Sequence, residues 1–138
     1  MIALIDYGAG NLTSVRKALI NLGAQFETPS SPSDVATATA VIVPGVGHFK
    51  ATAALGVPWR RAITDAVSRG RPLLGICLGL QWLFEGSAEA PQLPGLGVMQ
   101  GTCTLITNDG ATSKVRNAFK VPHVGWNSLH ITRDSWLL

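Results

Sequence analysis

The chain has 138 residues, of which 46% are hydrophobic and 14% are charged, and its formal net charge at pH 7 is +3. This balance excludes an intrinsically disordered chain, which needs low hydrophobicity and high charge. The two cysteines are too few for a disulfide framework, and the length suits a single domain that covers residues 1–138.

Charge and hydropathy also bear on partners and location. The basic residues are scattered along the chain rather than clustered, so we expect no nucleic-acid partner. The longest uncharged apolar run, Pro72–Leu80, is too short to span a membrane. The amino terminus, Met1–Asp6, lacks the basic region of a signal peptide. We therefore expect a cytoplasmic protein without membrane contact, in which both cysteines are free thiols.

Short apolar strands alternate with helical stretches over residues 1–85. In chain order we predict a strand at Ile2–Ile5, a helix capped by Asn11 and ending at Leu22, a strand at Ala24–Thr28, a short helix opened by Ser33-Asp34, a strand at Val41–Val43, a helix from about Pro58 to Gly70, a strand at Leu73–Ile76 and a helix at Leu78–Glu85. This alternation indicates an α/β fold with a doubly wound, mostly parallel sheet. Because Leu73–Ile76 is apolar throughout, we expect it to be buried on both faces.

The pattern changes after a loop at residues 86–97 that is rich in glycine and proline. Val98–Thr107 alternates like a strand of an antiparallel pair, and Asn108-Asp109-Gly110 is typical of a tight turn. Val121–Ile131 is predicted to carry another strand or two.

The segment most indicative of chemistry is Gly75-Ile76-Cys77-Leu78-Gly79, where the fourth strand should turn into a helix. In a nucleophile elbow the central residue occupies a strained turn, and glycines beside it leave room for neighbouring backbone. We therefore interpret Cys77 as a nucleophile, with the N–H of Leu78 free to donate to an oxyanion. The alternative is a small buried cysteine between two glycines that pack against other elements.

A second segment, Pro44-Gly45-Val46-Gly47-His48-Phe49, leaves the third strand. Neighbouring strands of a doubly wound sheet would place this loop beside Cys77, where its N–H groups would complete an oxyanion hole. The alternative is an ordinary strand-to-helix turn. Gln81 lies one helical turn after Cys77, so it either reaches back toward the site or faces solvent.

Four segments of the sequence, taken together in their order along the chain, carry a resemblance to a known family. They are Asp6-Tyr7-Gly8-Ala9-Gly10-Asn11, the PGVGHF loop at 44–49, the GICLGLQ segment at 75–81 and the PHVGWN segment at 122–127. Together they closely resemble the glutaminase subunits of imidazole glycerol phosphate synthases, which are class I glutamine amidotransferases of histidine biosynthesis. The resemblance runs from Met1 to about Asn127. The cysteine elbow alone indicates the wider class I superfamily, and the PGVG and PHVGWN segments narrow it to this family.

The resemblance implies a flavodoxin-like fold and a glutaminase that converts glutamine to glutamate and ammonia. Cys77 matches the nucleophile that forms a glutamyl thioester. The matching oxyanion and glutamine-binding positions are Gly45, Val46, Gly47, Leu78 and Gln81. The resemblance implies no cofactor and no metal.

The resemblance also implies a partner, a (β/α)₈ synthase subunit into which ammonia passes to complete an imidazole ring. The segment that matches the interface of this heterodimer comprises Pro122, His123, Val124, Gly125, Trp126 and Asn127. The alternative for His123 and Trp126 is a surface loop with a packed aromatic side chain.

The sequence departs from the family at its catalytic base. A thioester mechanism needs a base, which in the family is the histidine of a His-x-Glu pair near the carboxyl end, and this sequence has no such pair. Its three histidines fall in the oxyanion loop (His48), the interface segment (His123) and a predicted strand (His130). We therefore expect a C-terminally truncated copy of the amidotransferase domain, with an incomplete sheet and little or no activity alone.

Two other interpretations remain. A catalytically dead module would bind the barrel partner even when Cys77 is replaced by alanine. Another cysteine-elbow hydrolase of flavodoxin-like fold would need its base among the three histidines and would turn over esters or peptides.

Overall fold

The computed structural model describes residues 1–106 and 124–134 of the chain. The chain divides into two units, Met1–Thr104 and Leu105–Leu138. Every helix and strand assigned within the described residues lies in the first unit. The described residues of the second unit are exposed and have no regular secondary structure.

The first unit alternates strands and helices, as the sequence pattern predicts. Its elements are β1 (Ile2–Leu4), α1 (Leu12–Asn21), β2 (Phe26–Glu27), a 3₁₀ helix (Pro32–Thr37), β3 (Ala40–Val43), a second 3₁₀ helix (Phe49–Ala54), α2 (Val57–Ser68), β4 (Leu73–Gly75), α3 (Leu78–Leu83), β5 (Gly86–Ser87) and β6 (Thr102–Cys103). The strands and helices predicted over residues 1–85 are all present, with bounds that differ by no more than two residues.

Four strands form one sheet in the order β2-β1-β3-β4, and every neighbouring pair is parallel. The register pairs Leu4 with Ile42 and Val43 with Gly75, so the carboxyl ends of β1, β3 and β4 lie side by side. Flavodoxin-like sheets begin with this strand order. The prediction of an α/β fold with a doubly wound, mostly parallel sheet is therefore confirmed.

Polar side chains explain where two of the helices begin. Asn11 Oδ1 accepts a hydrogen bond of 3.2 Å from the N–H of Ser14, which confirms the predicted cap of α1. At the first 3₁₀ helix, the carboxylate of Asp34 accepts a hydrogen bond of 2.9 Å from the N–H of Ser31, as part of a capping box. This bond is the main reason that the pKa of Asp34 lies below its ordinary value.

Helices cover both faces of the sheet. On one face Leu4 packs with Leu19 of α1. On the other face Val43 belongs to a larger buried cluster that includes Ile63 of α2 and Trp82 of α3. Removing these apolar surfaces from water is the main favourable term that holds the sheet and the helices together.

The expectation that Leu73–Ile76 is buried on both faces is wrong. Leu74 is 48% exposed and Ile76 is 37% exposed. Within the described residues β4 pairs only with β3, so it is the edge strand of the sheet. An apolar run predicts burial on both faces only when the strand lies inside a sheet with layers on both sides.

The strand predictions after residue 85 are also wrong where the structure tests them. Instead of an antiparallel strand at 98–107, the short β6 pairs in parallel with β5. The connecting segment returns to the end of α3, where the N–H of Met99 donates to the carbonyl of Leu83 (3.0 Å), and the N–H of Gly95 donates to the carbonyl of Glu85 just after the helix (2.8 Å). No strand is assigned within residues 124–131, and the predicted turn at 108–110 lies outside the described residues.

The open edge at β4 predicts self-association that a charge should reduce. We expect Leu74→Lys to weaken concentration-dependent association, because a lysine on an edge strand disfavours pairing with a second strand. The free energy of unfolding should change by less than about 1 kcal/mol. Sedimentation velocity over a concentration series measures the association. The matched control is Ile20→Lys on the exposed side of α1, and an equal reduction by both variants would contradict a role for this edge.

Candidate active site

Two loops and the turn at Cys77 meet at the carboxyl ends of the parallel strands. Residues 7–10 follow β1, residues 44–47 follow β3, and Cys77 lies between β4 and α3. The first two loops pack together, and the N–H of Leu78 donates to the carbonyl of Gly45 at 3.4 Å, which joins the second loop to α3. The loop after β3 and Cys77 are therefore neighbours, as the strand order predicts.

Cys77 adopts a backbone conformation that side chains rarely tolerate. Its φ is 55° and its ψ is −110°, and it is the one residue other than glycine with a positive φ within residues 1–106 and 124–134. Such a conformation costs about 1–3 kcal/mol and persists only where the surroundings enforce it. The thiol is exposed. Strand, sharp turn and helix thus present this cysteine to solvent as a nucleophile elbow does.

The two glycines of the elbow allow close contact between backbones. A Cβ on Gly75 would lie 2.6 Å from Cα of Leu80, and a Cβ on Gly79 would collide with the carbonyl oxygen of Val43. Side chains at either position would push α3 away from β3 and β4. The predicted reason for these glycines is therefore confirmed by the geometry.

The oxyanion loop differs in one respect from the expectation. Gly45 is buried, whereas Val46 and Gly47 are exposed beside the elbow. The N–H of Leu78 was expected to be free, but it donates to the carbonyl of Gly45. The distance of 3.4 Å exceeds the usual range for N–H···O bonds, so this bond is weak. It forms because Gly45, two residues after β3, lies against the first turn of α3.

Gln81 lies on α3, one turn after the elbow. Its N–H donates to the carbonyl of Cys77 at 3.0 Å, which continues the helix from the strained residue. The residue is half-buried, and its own carbonyl is 3.9 Å from the Sγ of Cys103. The glutamine-binding role expected for its side chain remains a prediction.

Tyr7 is a site residue that the sequence reasoning did not single out. Its hydroxyl oxygen is buried without a hydrogen-bond partner within the described residues, and a Cβ on Gly45 would collide with it. Burial, and to a smaller extent the nearby Cys77, raises the pKa of Tyr7 to about 12. Because Tyr7 lies three residues after the end of β1, at the carboxyl ends of the parallel strands, the parallel topology was the signal that could have placed it beside Cys77.

Within the described residues of the first unit, the single histidine, His48, is engaged in capping a helix. His48 is exposed, and its Nδ1 accepts a hydrogen bond of 3.1 Å from the N–H of Lys50, so it caps the second 3₁₀ helix. His130 is exposed and lies in the second unit. His123 lies outside the described residues.

The predicted interface segment is only partly described. Pro122 and His123 lie outside the described residues, whereas Val124, Gly125, Trp126 and Asn127 are exposed. Trp126 is fully exposed and Val124 is 87% exposed. Trp126 therefore does not pack against the residues that the structure describes, whereas the interface role of this segment stays a prediction.

The protein has a parallel α/β sheet and presents a cysteine at a strained turn between a strand and a helix. These two features place it in the class of α/β proteins with a cysteine nucleophile elbow. The family profile "Glutamine amidotransferase class-I" matches residues 3–135. The chain therefore belongs to the class I glutamine amidotransferase family.

The chain is similar to imidazole glycerol phosphate synthase subunits HisH. It is 45% identical to that of Bacillus subtilis over 140 residues, which cover all of this chain and 65% of the relative. It is 44% identical to that of Thermococcus kodakarensis over 129 residues, which cover 94% of this chain and 58% of the relative. The chain thus spans about three fifths of the length of these two relatives.

A solved structure supports the fold. A crystal structure of a glutamine amidotransferase superposes with a TM-score of 0.64 at 22% identity, over 75% of this chain and 55% of that one. Within residues 1–106 and 124–134, no group of three or more histidine, cysteine or acidic side chains is arranged to hold a metal ion. In the same residues no helix is both long and apolar enough to cross a membrane.

Gly79→Ala tests the close packing at the elbow. We expect the free energy of unfolding to fall by about 3 kcal/mol, because the new Cβ overlaps the backbone of Val43, which cannot move without breaking the β3–β4 pairing. Urea denaturation followed by tryptophan fluorescence measures the change. Gly10→Ala is the matched control, since its Cβ would meet Pro44 at an ordinary 3.7 Å. A loss of similar size in both variants would contradict the proposed crowding.

Tyr7 is the single tyrosine of the chain, so its titration is visible in the near-ultraviolet absorbance of the tyrosinate. We expect a midpoint near pH 12 in the folded protein. Cys77→Ser should lower this midpoint, because it removes the neighbouring negative charge, whereas Cys103→Ser should leave it unchanged. A midpoint at the ordinary value of 10.0 in the folded protein would contradict the burial of this hydroxyl.

The raised pKa of Tyr7 also predicts a pH dependence of stability. The folded state keeps the phenolic proton up to about pH 12, whereas the unfolded state loses it near pH 10.0. The stabilisation is therefore complete below pH 10 and is lost as the pH rises toward about 12. Tyr7→Phe should remove this part of the pH dependence, which urea denaturation at a series of pH values measures. At neutral pH the variant should lose less than about 0.5 kcal/mol, because the hydroxyl has no partner in the described residues.

Proposed function

We propose that this chain carries the glutamine-hydrolysing site of an imidazole glycerol phosphate synthase. The observation that carries the proposal is the backbone of Cys77, which is held in the left-handed region between β4 and α3 with its thiol exposed. The family profile, glutamine amidotransferase class I, supports glutamine as the substrate, and the names of the HisH relatives support an imidazole glycerol phosphate synthase as the assembly. A reducing compartment keeps free thiols such as those of Cys77 and Cys103 reduced, so the proposal includes a cytoplasmic location.

The reaction begins when the thiolate of Cys77 attacks the side-chain amide carbon of glutamine. A C–S bond forms, and the carbonyl oxygen becomes an oxyanion. Ammonia leaves once the amide nitrogen has accepted a proton, which gives a glutamyl thioester. Water then attacks the thioester carbon, and glutamate and the free thiol are released.

The oxyanion would be held by backbone N–H groups at the elbow. Leu78 supplies the N–H that directly follows the nucleophile, and Val46 and Gly47 lie in the exposed loop beside it. An oxyanion has to replace the carbonyl of Gly45 as the acceptor of the Leu78 N–H. The exchange favours the oxyanion, because a charge-assisted hydrogen bond is stronger than the present 3.4 Å contact. Gln81, on the same helix, would contact the glutamine substrate.

The mechanism also needs a base that takes the thiol proton and gives it to the leaving amine. His48 is used as a helix cap and is exposed. His130 is exposed in the other unit. Within the described residues of the first unit no histidine is available as this base, so we expect the chain to hydrolyse glutamine slowly or not at all on its own.

The partner in this proposal is a (β/α)₈ synthase subunit that receives the ammonia. The supporting observation is the exposed segment Val124–Asn127, in which Trp126 makes its whole surface available. Exposed tryptophans are frequent anchors of protein interfaces. A chloroplastic protein of Arabidopsis thaliana, named imidazole glycerol phosphate synthase hisHF, is 40% identical over 142 residues that cover all of this chain and 22% of that protein.

Covalent labelling tests the glutamine site without requiring turnover. A glutamine analogue that carries a diazoketone in place of the amide should alkylate Cys77, because the exposed thiol is presented at the elbow. Excess glutamine should slow the labelling at least about tenfold by competition. Intact mass and peptide mapping measure the site and the rate.

Cys103 provides the matched control for this experiment. Burial raises the pKa of Cys103, so Cys103→Ala should keep the labelling and Cys77→Ala should abolish it. Labelling of both thiols at similar rates without protection by glutamine would contradict a glutamine site. Ammonia release with and without the barrel subunit measures turnover. Release at the rate of a full-length HisH, abolished by Cys77→Ala, would contradict the expected low activity of the 138-residue chain.

A further inference from the structure

A groove runs between the 3₁₀ helix Pro32–Thr37 and α2 and encloses about 420 Å³. This volume lies within the range of about 300–1,000 Å³ that small-molecule sites occupy. Its apolar lining includes Pro32, Ala36, Pro58 and Ala62, whose side chains are short and leave the space between the two helices open. We call it the α2 groove.

The α2 groove is separate from the candidate active site. The 3₁₀ helix precedes β3, and Arg69 and Arg71 precede β4, so these parts of the groove lie toward the amino ends of the parallel strands. Cys77 lies at the carboxyl ends. The groove residues include none of those assigned above to glutamine binding or to the oxyanion.

Cationic side chains surround the apolar lining. Arg61, Arg69 and Arg71 line the groove against a single carboxylate, that of Asp65, which leaves a net charge of +2. Arg61 lies on α2 and Arg69 caps its carboxyl end, eight residues and therefore about 12 Å further along the helix axis. Both residues are exposed, so their guanidinium groups are accessible to a ligand.

Arg71 fixes the position of the third charge. Its Nη1 donates to the carbonyl of Ala36 at 2.7 Å and to that of Val35 at 3.3 Å. These bonds tie the 3₁₀ helix to the segment after α2, which keeps the groove open at a defined width. A shaped cavity with a fixed cation is better suited to a specific ligand than separate surface arginines are.

The side chains that line the α2 groove indicate which kind of ligand it can bind. Guanidinium groups bind carboxylates with two parallel hydrogen bonds, and apolar walls favour a hydrophobic body. We propose that the α2 groove binds a small organic acid whose apolar or aromatic body fills the groove and whose carboxylate pairs with Arg61 and Arg69. This site does not use Cys77, so it stands independently of the proposed glutamine chemistry.

The experiment uses the whole 138-residue chain and 4-phenylbutyrate as the probe, with neutral 4-phenylbutan-1-ol as the isosteric control. Isothermal titration calorimetry and saturation-transfer NMR measure the dissociation constants. The acid should bind on the order of 1 mM or tighter, as expected for a ligand of this size. Added salt should weaken the acid and not the alcohol, a result that needs no variant.

Charge variants then locate the carboxylate. The double variant Arg61→Gln/Arg69→Gln should weaken the acid by about fivefold or more and leave the alcohol within about twofold. Lys17→Gln, on exposed α1, removes one charge elsewhere and should change neither. Ala36→Phe, at an exposed position that lines the groove, should block both ligands.

Three outcomes would overturn the proposal. Equal affinity for acid and alcohol, unchanged by salt and by the double variant, would leave an apolar groove that does not recognise anions. Binding that survives Ala36→Phe in a folded variant would place the probe elsewhere on the chain. Absence of binding at probe concentrations up to about 10 mM would exclude this class of ligand.

Discussion

The left-handed backbone of Cys77 is the constraint on which the site depends. A conformation that costs about 1–3 kcal/mol is retained because the chain has no room to relax. The N–H of Ile76 is bonded to the carbonyl of Val43 at 3.0 Å on one side of the cysteine, and α3 begins directly on the other. Glycines at 75 and 79 let α3 approach both strands at backbone distance. The β3–β4 pairing and the elbow are therefore one structural unit.

The same crowding determines the polar surroundings of the thiol. Gly45 is enclosed by the hydroxyl of Tyr7 and the side chain of Leu78, so the loop after β3 carries no side chain at the point of contact. A buried hydroxyl without a partner costs free energy, and here it lies next to the candidate nucleophile. Burial raises the pKa of Tyr7 to about 12. The hydroxyl consequently remains neutral and able to donate a hydrogen bond up to about pH 12.

Features that depend on a few adjacent residues could be predicted from the sequence. The Asn11 cap and the strand-turn-helix context of Cys77 follow from local residue types, and the structure has both. The exposure of Leu74 could not be predicted, because it depends on which strand or layer lies beside β4 in space. The parallel pairing of β5 with β6 likewise depends on the hydrogen bonds that return the connecting segment to α3. Tyr7 was missed because its importance comes from a contact with Gly45, which adjoins a different strand.

Strain at the elbow makes the site more sensitive than the fold to a loosened core. Val43 and Leu78 belong to the same buried cluster as Ile63 of α2. The strain at Cys77 is a sizeable fraction of the roughly 5–15 kcal/mol that stabilises a domain. Since a strained backbone persists only where its surroundings enforce it, packing lost on this face of the sheet would disfavour the observed φ of Cys77 before it disrupted the β1–β3 pairing. Ala66 of α2 belongs both to this buried cluster and to the lining of the α2 groove, so one helix packs against the core that supports the elbow and forms a wall of the groove.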